Sequence, residues 1–170
     1  FFGPIARVSA QTSAKSRGGP LEDTAAILIE FTSGALGTFL LSDAGASPWS
    51  FEAGSGENPM IGKTGQDYIR MIGDAGSLSF PSLDLWRPPS GEKPEWRVAL
   101  RRDDGPNLPP IDPLAEQINR FARVLCGDTA DLCSAQEGHN ALAATLAAAY
   151  SADVGRPIAL GDVPMDYKGF

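Results

Sequence analysis

Residues 24–31 read TAAILIEF, which puts Ile27, Ile29 and Phe31 on one side of an extended backbone and Ala26, Leu28 and Glu30 on the other. Thr32, Ser33 and Gly34 follow as a short turn whose glycine can take positive φ, and the pattern resumes at Leu36 as LGTFLLSD. Two β-rich runs around such a turn predict a hairpin. In its second strand Gly37, Phe39 and Leu41 share one face, and Leu36 and Leu40 the other. Apolar residues on both faces fit a sheet covered twice, by its own helices on one side and by another domain or subunit on the other. A sandwich core would give the same pattern.

Around the hairpin, residues 5–11 (IARVSAQ) alternate as a short strand and residues 12–19 form a polar loop. Residues 49–53 (WSFEA) read as a further strand, followed by a Gly/Pro/Asn loop over 54–65 that is longer than a hairpin needs; such loops often carry function. Strands are expected at 67–73, 77–80, 84–86 and 96–100, the last two separated by the Pro-rich stretch 87–94. Residues 103–110 are too rich in Pro and Gly for regular structure. Asp112 then caps a helix with Pro113 at its first position, an apolar stripe of Leu114, Ile118, Phe121, Ala122 and Leu125, and Gly127 as its stop. Ser134 and Glu137 make a capping box for a second helix that ends near Gly155 and Pro157. Leu142, Thr145, Leu146, Ala149 and Tyr150 lie on one side of it. The expected class is α+β: an open, mainly antiparallel sheet with helices on one face, as a single domain over residues 1–170.

At 170 residues a second independent core is not expected. Hydrophobic residues at 42% and charged residues at 21% are those of a globular domain, and 19 glycines with 14 prolines fit many turns and short strands. A net charge of −7 argues against a surface that neutralises nucleic-acid phosphates or an anionic membrane. No apolar run approaches the roughly 18–20 residues a membrane span needs. Two cysteines, Cys126 and Cys133, are too few for a disulfide framework, and with the single histidine His139 they make a poor zinc set. A reduced, cytoplasmic protein is the plain expectation. The opening Phe1-Phe2-Gly3-Pro4 has no signal-like pattern and suggests a segment of something larger.

Candidate chemistry is sparse. There is no nucleophile elbow, HExxH, CxxC, P-loop or GxGxxG. Gly54-Ser55-Gly56 is glycine-rich but does not lead into a helix that could hold a phosphate. His139 lacks an evident orienting partner and reads as a structural or surface residue. Cys126 reads as a packed residue, and Cys133 lies just before a helix cap, where a thiol can be acidified. Glu92-Lys93-Pro94 falls in a Pro-rich loop and reads as solvated turn charge. Trp49, Trp86 and Trp96 could stack on a sugar ring or pack on a sheet; packing is favoured for Trp86 and Trp96, and Trp49, beside the long loop, fits either.

Three runs in this order carry a specific resemblance: Glu22-Asp23-Thr24-Ala25-Ala26, Phe31-Thr32-Ser33-Gly34-Ala35-Leu36-Gly37-Thr38, and Pro48-Trp49-Ser50-Phe51-Glu52. With Ile72-Gly73-Asp74-Ala75-Gly76-Ser77-Leu78 and the two closing helices, they resemble the C-terminal domain of the Gfo/Idh/MocA oxidoreductases, the glucose–fructose oxidoreductase and inositol dehydrogenase family. The resemblance implies a glyceraldehyde-3-phosphate dehydrogenase-like C-terminal fold within a two-domain NAD(P)-dependent dehydrogenase. There an N-terminal Rossmann domain holds the nicotinamide, this domain shapes the substrate pocket, and the open sheet forms a homodimer interface, with dimer and tetramer both left open as the full assembly. In that family the dinucleotide fingerprint and the EKP lysine lie in the Rossmann domain, and a catalytic Asp and His sit on a helix just before the first strand. Phe1-Phe2-Gly3-Pro4-Ile5 resembles the exit from that helix. The family's EKP is therefore not carried onto Glu92-Lys93-Pro94, and no catalytic, cofactor-binding or metal-binding residue is expected in these 170 residues.

The expected function is substrate binding and dimerisation for an NAD(P)-dependent oxidoreductase acting on the CH–OH group of a sugar or polyol, with this segment inactive alone. Trp49, Glu57, Asn58, Gln66 and Tyr68 are the candidate substrate contacts, being polar or aromatic and flanking the 54–65 loop. The competing class is a stand-alone, non-catalytic ligand-binding or scaffold module of the same fold.

Overall fold

In the computed structural model, which describes residues 2–90, 92–109, 111–128 and 133–169, the elements run β1 (Ile5–Ser13), β2 (Thr24–Phe31), β3 (Leu36–Ser42), α1 (Phe51–Ser55), β4 (Ile69–Ile72), β5 (Ser77–Phe80), β6 (Leu85–Arg87), β7 (Arg101–Asp103), α2 (Pro113–Leu125), α3 (Ala135–Val154) and β8 (Ile158–Ala159), closing in a 3-10 turn at Leu160–Asp162. The class is α+β, with every strand pair antiparallel. The elements group into two units, Phe1–Gly45 with Asp131–Phe170, and Ala46–Ala130.

The first unit is a sheet of order β3-β2-β1-β8. The hairpin register sets Ala25 against Leu41, Ile27 against Phe39 and Ile29 against Gly37. Period-2 alternation thus delivers Ile27 and Ile29 to one face, where Val8, Ala10, Ala147, Ala148 and Ile158 form the buried core. Gly34 turns the hairpin at φ +85, a conformation open to glycine at little cost. The opposite face carries exposed Leu28, Leu36 and Leu40, with a shallow depression of about 340 Å³ among Ser9, Gln11, Ala26, Leu28, Thr38 and Leu40.

The helix against this sheet, α3, opens on the expected capping box at Ser134 and Glu137 and ends with Gly155 in the left-handed region. Of the expected stripe, Ala149 is buried and Tyr150 packs on the core, whereas Leu142 is 58% exposed; Ala147, Ala148 and Ser151 complete the buried face. Small side chains let the helix backbone come close to β1, which bulky leucines would prevent. Ser151 is fully buried and joins the layers. Its hydroxyl accepts from the Ala10 N–H at 3.0 Å and donates to the Arg156 carbonyl at 2.7 Å. The chain after Pro157 does more than stop a helix, because β8 pairs with Arg7 and Val8 and buries Ile158 completely. Beyond it, the Tyr167 hydroxyl donates to Asp153 at 2.7 Å and its ring lies 5.0 Å from that of Tyr150.

The second unit holds a sheet of order β4-β5-β6-β7. The strand expected over residues 96–100 is displaced: Trp96 lies in a turn in which the Val98 N–H bonds the Glu95 carbonyl, and the pairing residues are Arg101–Asp103. The register favours this placement because Arg87 and Arg101 both reach Asp103, at 2.6 and 3.0 Å. The strand expected at 49–53 is instead α1. Ser50 caps it by accepting from the Ala53 N–H, Glu52 sits in its first turn, and Gly56 ends it at φ +72. The Asp112 cap and Pro113 start α2 as expected, and its Leu114, Ile118, Phe121 and Leu125 are 64–72% exposed.

Candidate functional site

The long loop after Gly54 folds back on α1 through Thr64. The Thr64 N–H bonds the Ala53 carbonyl at 2.7 Å, and its hydroxyl donates to the carbonyls of Pro48 at 2.8 Å and Ala53 at 3.2 Å. This return brings Gln66 and Tyr68 against the helix. A Cβ on Gly54 would sit 2.6 Å from Tyr68 Cδ1 and 2.7 Å from the Gln66 carbonyl oxygen, so glycine is required for the approach. The Tyr68 N–H bonds the Phe80 carbonyl at 3.0 Å, which anchors the residue beside the second sheet.

Tyr68 is therefore held by backbone and by rings. Its ring meets Phe51 edge-on at 6.0 Å and Phe80 at 5.6 Å. The hydroxyl is buried with no hydrogen-bond partner among the described residues. Burial pushes the phenol above its ordinary pKa, and the nearby Glu57 and Glu52 carboxylates push it the same way. It stays a neutral group able both to donate and to accept.

Of the five sequence candidates, Tyr68, Gln66 and Glu57 gather around α1. Asn58 faces its own turn: its Oδ1 accepts from the Met60 N–H at 3.0 Å, and its carbonyl from the Ile61 N–H at 3.1 Å. Trp49 is 63% exposed, with no ring partner among the described residues. Sequence reasoning passed over Phe51, Glu52, Lys63 and Thr64. The missed signal was the helix start S-x-x-A at Ser50, since α1 is what the loop folds onto. Lys63 lies along that helix end, its Cδ 2.6 Å from where a Gly56 Cβ would be.

The remaining candidates stand apart. His139 is exposed on α3, 3.5 Å from Gln136 Nε2. Cys126 and Cys133 are exposed free thiols. Glu92 and Lys93 sit on an exposed loop, where the Glu92 N–H bonds the Pro89 carbonyl. No group of three or more His, Cys, Asp or Glu among the described residues could hold a metal ion. No helix among them is long and apolar enough to cross a membrane.

Residues 1–79 match the family model described as the GFO/IDH/MocA C-terminal domain. No curated protein matches the chain. Among solved structures, UDP-N-acetylglucosamine 3-dehydrogenase GnnA from Acidithiobacillus ferrooxidans superposes with a TM-score of 0.66 at 17% identity, over 89% of this chain and 43% of that one. The WlbA dehydrogenase from Chromobacterium violaceum, in complex with NADH and UDP-GlcNAcA, gives 0.54 at 18%, over 97% and 42%. An oxidoreductase from Agrobacterium radiobacter, in complex with NAD+, L-tartaric acid and magnesium, gives 0.56 at 20%, over 94% and 44%. At these identities the likeness shows a shared fold. The chain spans less than half the length of the structures it matches.

Proposed function

From a chain whose first 79 residues match the GFO/IDH/MocA C-terminal domain, we infer the substrate-binding and dimerising part of an NAD(P)-dependent dehydrogenase that acts on the CH–OH group of a sugar or polyol. In this reading hydride passes between the substrate carbinol carbon and nicotinamide C4. NAD or NADP is held by residues outside these 170, and the acid–base groups lie there too. The present residues supply the walls of the substrate pocket. The observation that carries the sugar or polyol reading is the cluster at α1, where the buried Tyr68 phenol lies beside the helix with Glu57 and the Gln66 backbone near it, and the exposed Trp49 immediately precedes the helix cap. Exposed Trp49 offers an apolar ring face for a sugar, and the polar groups suit its hydroxyls. Solved relatives in fold that act on or bind nucleotide sugars support the same substrate class.

The homodimer uses the outer face of the first sheet, where Leu28, Leu36 and Leu40 are 49%, 70% and 78% exposed. A cytoplasmic location suits two exposed free thiols. Two measurements test the proposal. Titration calorimetry of this chain with NAD and NADP is expected to show no binding; micromolar affinity for either would place a coenzyme site here and overturn the division of labour. Light scattering is expected to show a dimer that Leu40→Asp dissociates, and a monomer at high concentration would remove the sheet-face interface.

A further inference from the structure

The Tyr68 hydroxyl is the least expected atom of the α1 cluster. Phenylalanine would make the same edge contacts with Phe51 and Phe80, and would lie equally well on the bare Gly54 backbone. The oxygen adds a polar atom that is occluded and unpaired among the described residues, a state that disfavours folding unless a partner arrives. The ring cannot swing away to find one, since it is wedged between two aromatic rings and its backbone is bonded to Phe80. Beside it runs the loop that follows α1. Residues 57–66 are exposed throughout and return to α1 mainly through Thr64.

We propose that Tyr68 is a specificity-determining residue whose hydroxyl pairs with a hydroxyl of the bound sugar or polyol once the 57–66 segment shifts to admit it. The inference rests on the substrate class proposed above and names the atom that reads it. A neutral phenol beside Glu52 and Glu57 favours an uncharged, hydroxyl-bearing group over an anionic one, because a phosphate or carboxylate would meet those two negative charges. A site built to pair with a hydroxyl discriminates strongly against a ligand lacking it, since the buried protein atom is then left without its partner.

The test compares wild type with Tyr68→Phe, using myo-inositol and UDP-N-acetylglucosamine as probes. Binding is followed by ligand-observed NMR and stability by thermal unfolding. The variant is expected to melt at or above the wild-type temperature, because an unpaired buried oxygen is removed, yet to bind the recognised probe at least tenfold more weakly. A lower melting temperature for Tyr68→Phe would show that the hydroxyl is already paired in the free chain, and would overturn the inference. Equal binding by wild type and variant would overturn it alone and leave the substrate class standing. Absence of binding of both probes to wild type would overturn the substrate class and this inference together.

Discussion

Ser151→Ala isolates a single bond between the helix and sheet of the first unit. The Ser151 hydroxyl is fully buried and accepts from the Ala10 N–H at 3.0 Å. The reason it is needed lies in the edge of the sheet: β8 pairs with β1 only at Arg7 and Val8, so Ala10 sits beyond its reach. Alanine at 151 leaves that donor buried without an acceptor. The second bond, to the Arg156 carbonyl, matters less because Arg156 is exposed and its carbonyl can turn to water. One stranded buried donor costs about 1–3 kcal/mol, set against a typical total stability of about 5–15 kcal/mol. In a chain of this size that lowers Tm by roughly 2–12 °C. Urea unfolding followed by circular dichroism gives the free energy, and amide exchange at Ala10 localises it. Thr145→Ala is the control, since that hydroxyl donates to Ala141 within its own helix on an exposed side, and it should change stability by less than about 0.5 kcal/mol. A Ser151→Ala chain as stable as the control, with the Ala10 amide still protected, would refute the bridging role.

Three further outcomes follow from particular contacts. Burial, and then the bond to Asp153, raise the Tyr167 pKa from about 10 to about 12, so its contribution to stability is complete below pH 10 and is lost as pH rises through 12; absorbance at 295 nm should show Tyr167→Phe removing a phenol that titrates near 12. Asp23, 5% exposed, accepts from the Arg17 N–H at 2.8 Å and from the Thr24 hydroxyl at 3.0 Å, and the Arg17 bond leads in holding its pKa below 3.8. Its stabilisation is present above pH 4 and disappears as pH falls through the lowered value, so amide protection at Arg17 should fade in acid in wild type and be low at all pH in Asp23→Ala. A Cβ on Gly105 would come 1.9 Å from the Ser82 carbonyl oxygen, while Asp67 pins Ser82 through both its N–H and its hydroxyl. Gly105→Ala should therefore cost about 1–3 kcal/mol or more by overpacking, and wild-type unfolding of that variant would contradict the tightness of the turn.

What could be read from the residues depended on whether their signal was local. The Thr24–Phe31 and Leu36–Ser42 hairpin was legible because eight and seven residues are enough to establish a period of two. Both long helices were legible from caps at Asp112 and Ser134. The helix Phe51–Ser55 was not, since five residues span little more than one turn and the aromatic composition of WSFEA suits a strand equally well. On α3 the packed side was legible at Ala149 and Tyr150 but not at Leu142, because a helical period alone does not show that the close approach to β1 selects alanine and serine over leucine. The two-residue strand Ile158–Ala159 carries no period at all and exists only because β1 offers it an edge. At the candidate site the choice of Tyr68, Gln66 and Glu57 followed from nearness to a long loop. The demand for glycine at 54 came from a tyrosine fourteen positions later and so left no local trace.

The first unit is drawn from two stretches, Phe1–Gly45 and Asp131–Phe170. A ribosome adding about 5–20 residues per second needs roughly ten seconds to travel from the end of the hairpin to the start of α3. For that interval the strands that will bury Val8, Ile27 and Ile29 have neither their helix nor β8, and the nascent sheet presents a bare greasy face with a vacant edge. Slower synthesis over residues 46–130 should lengthen this vulnerable window, and a holdase that shields exposed β surface should raise the yield of folded chain.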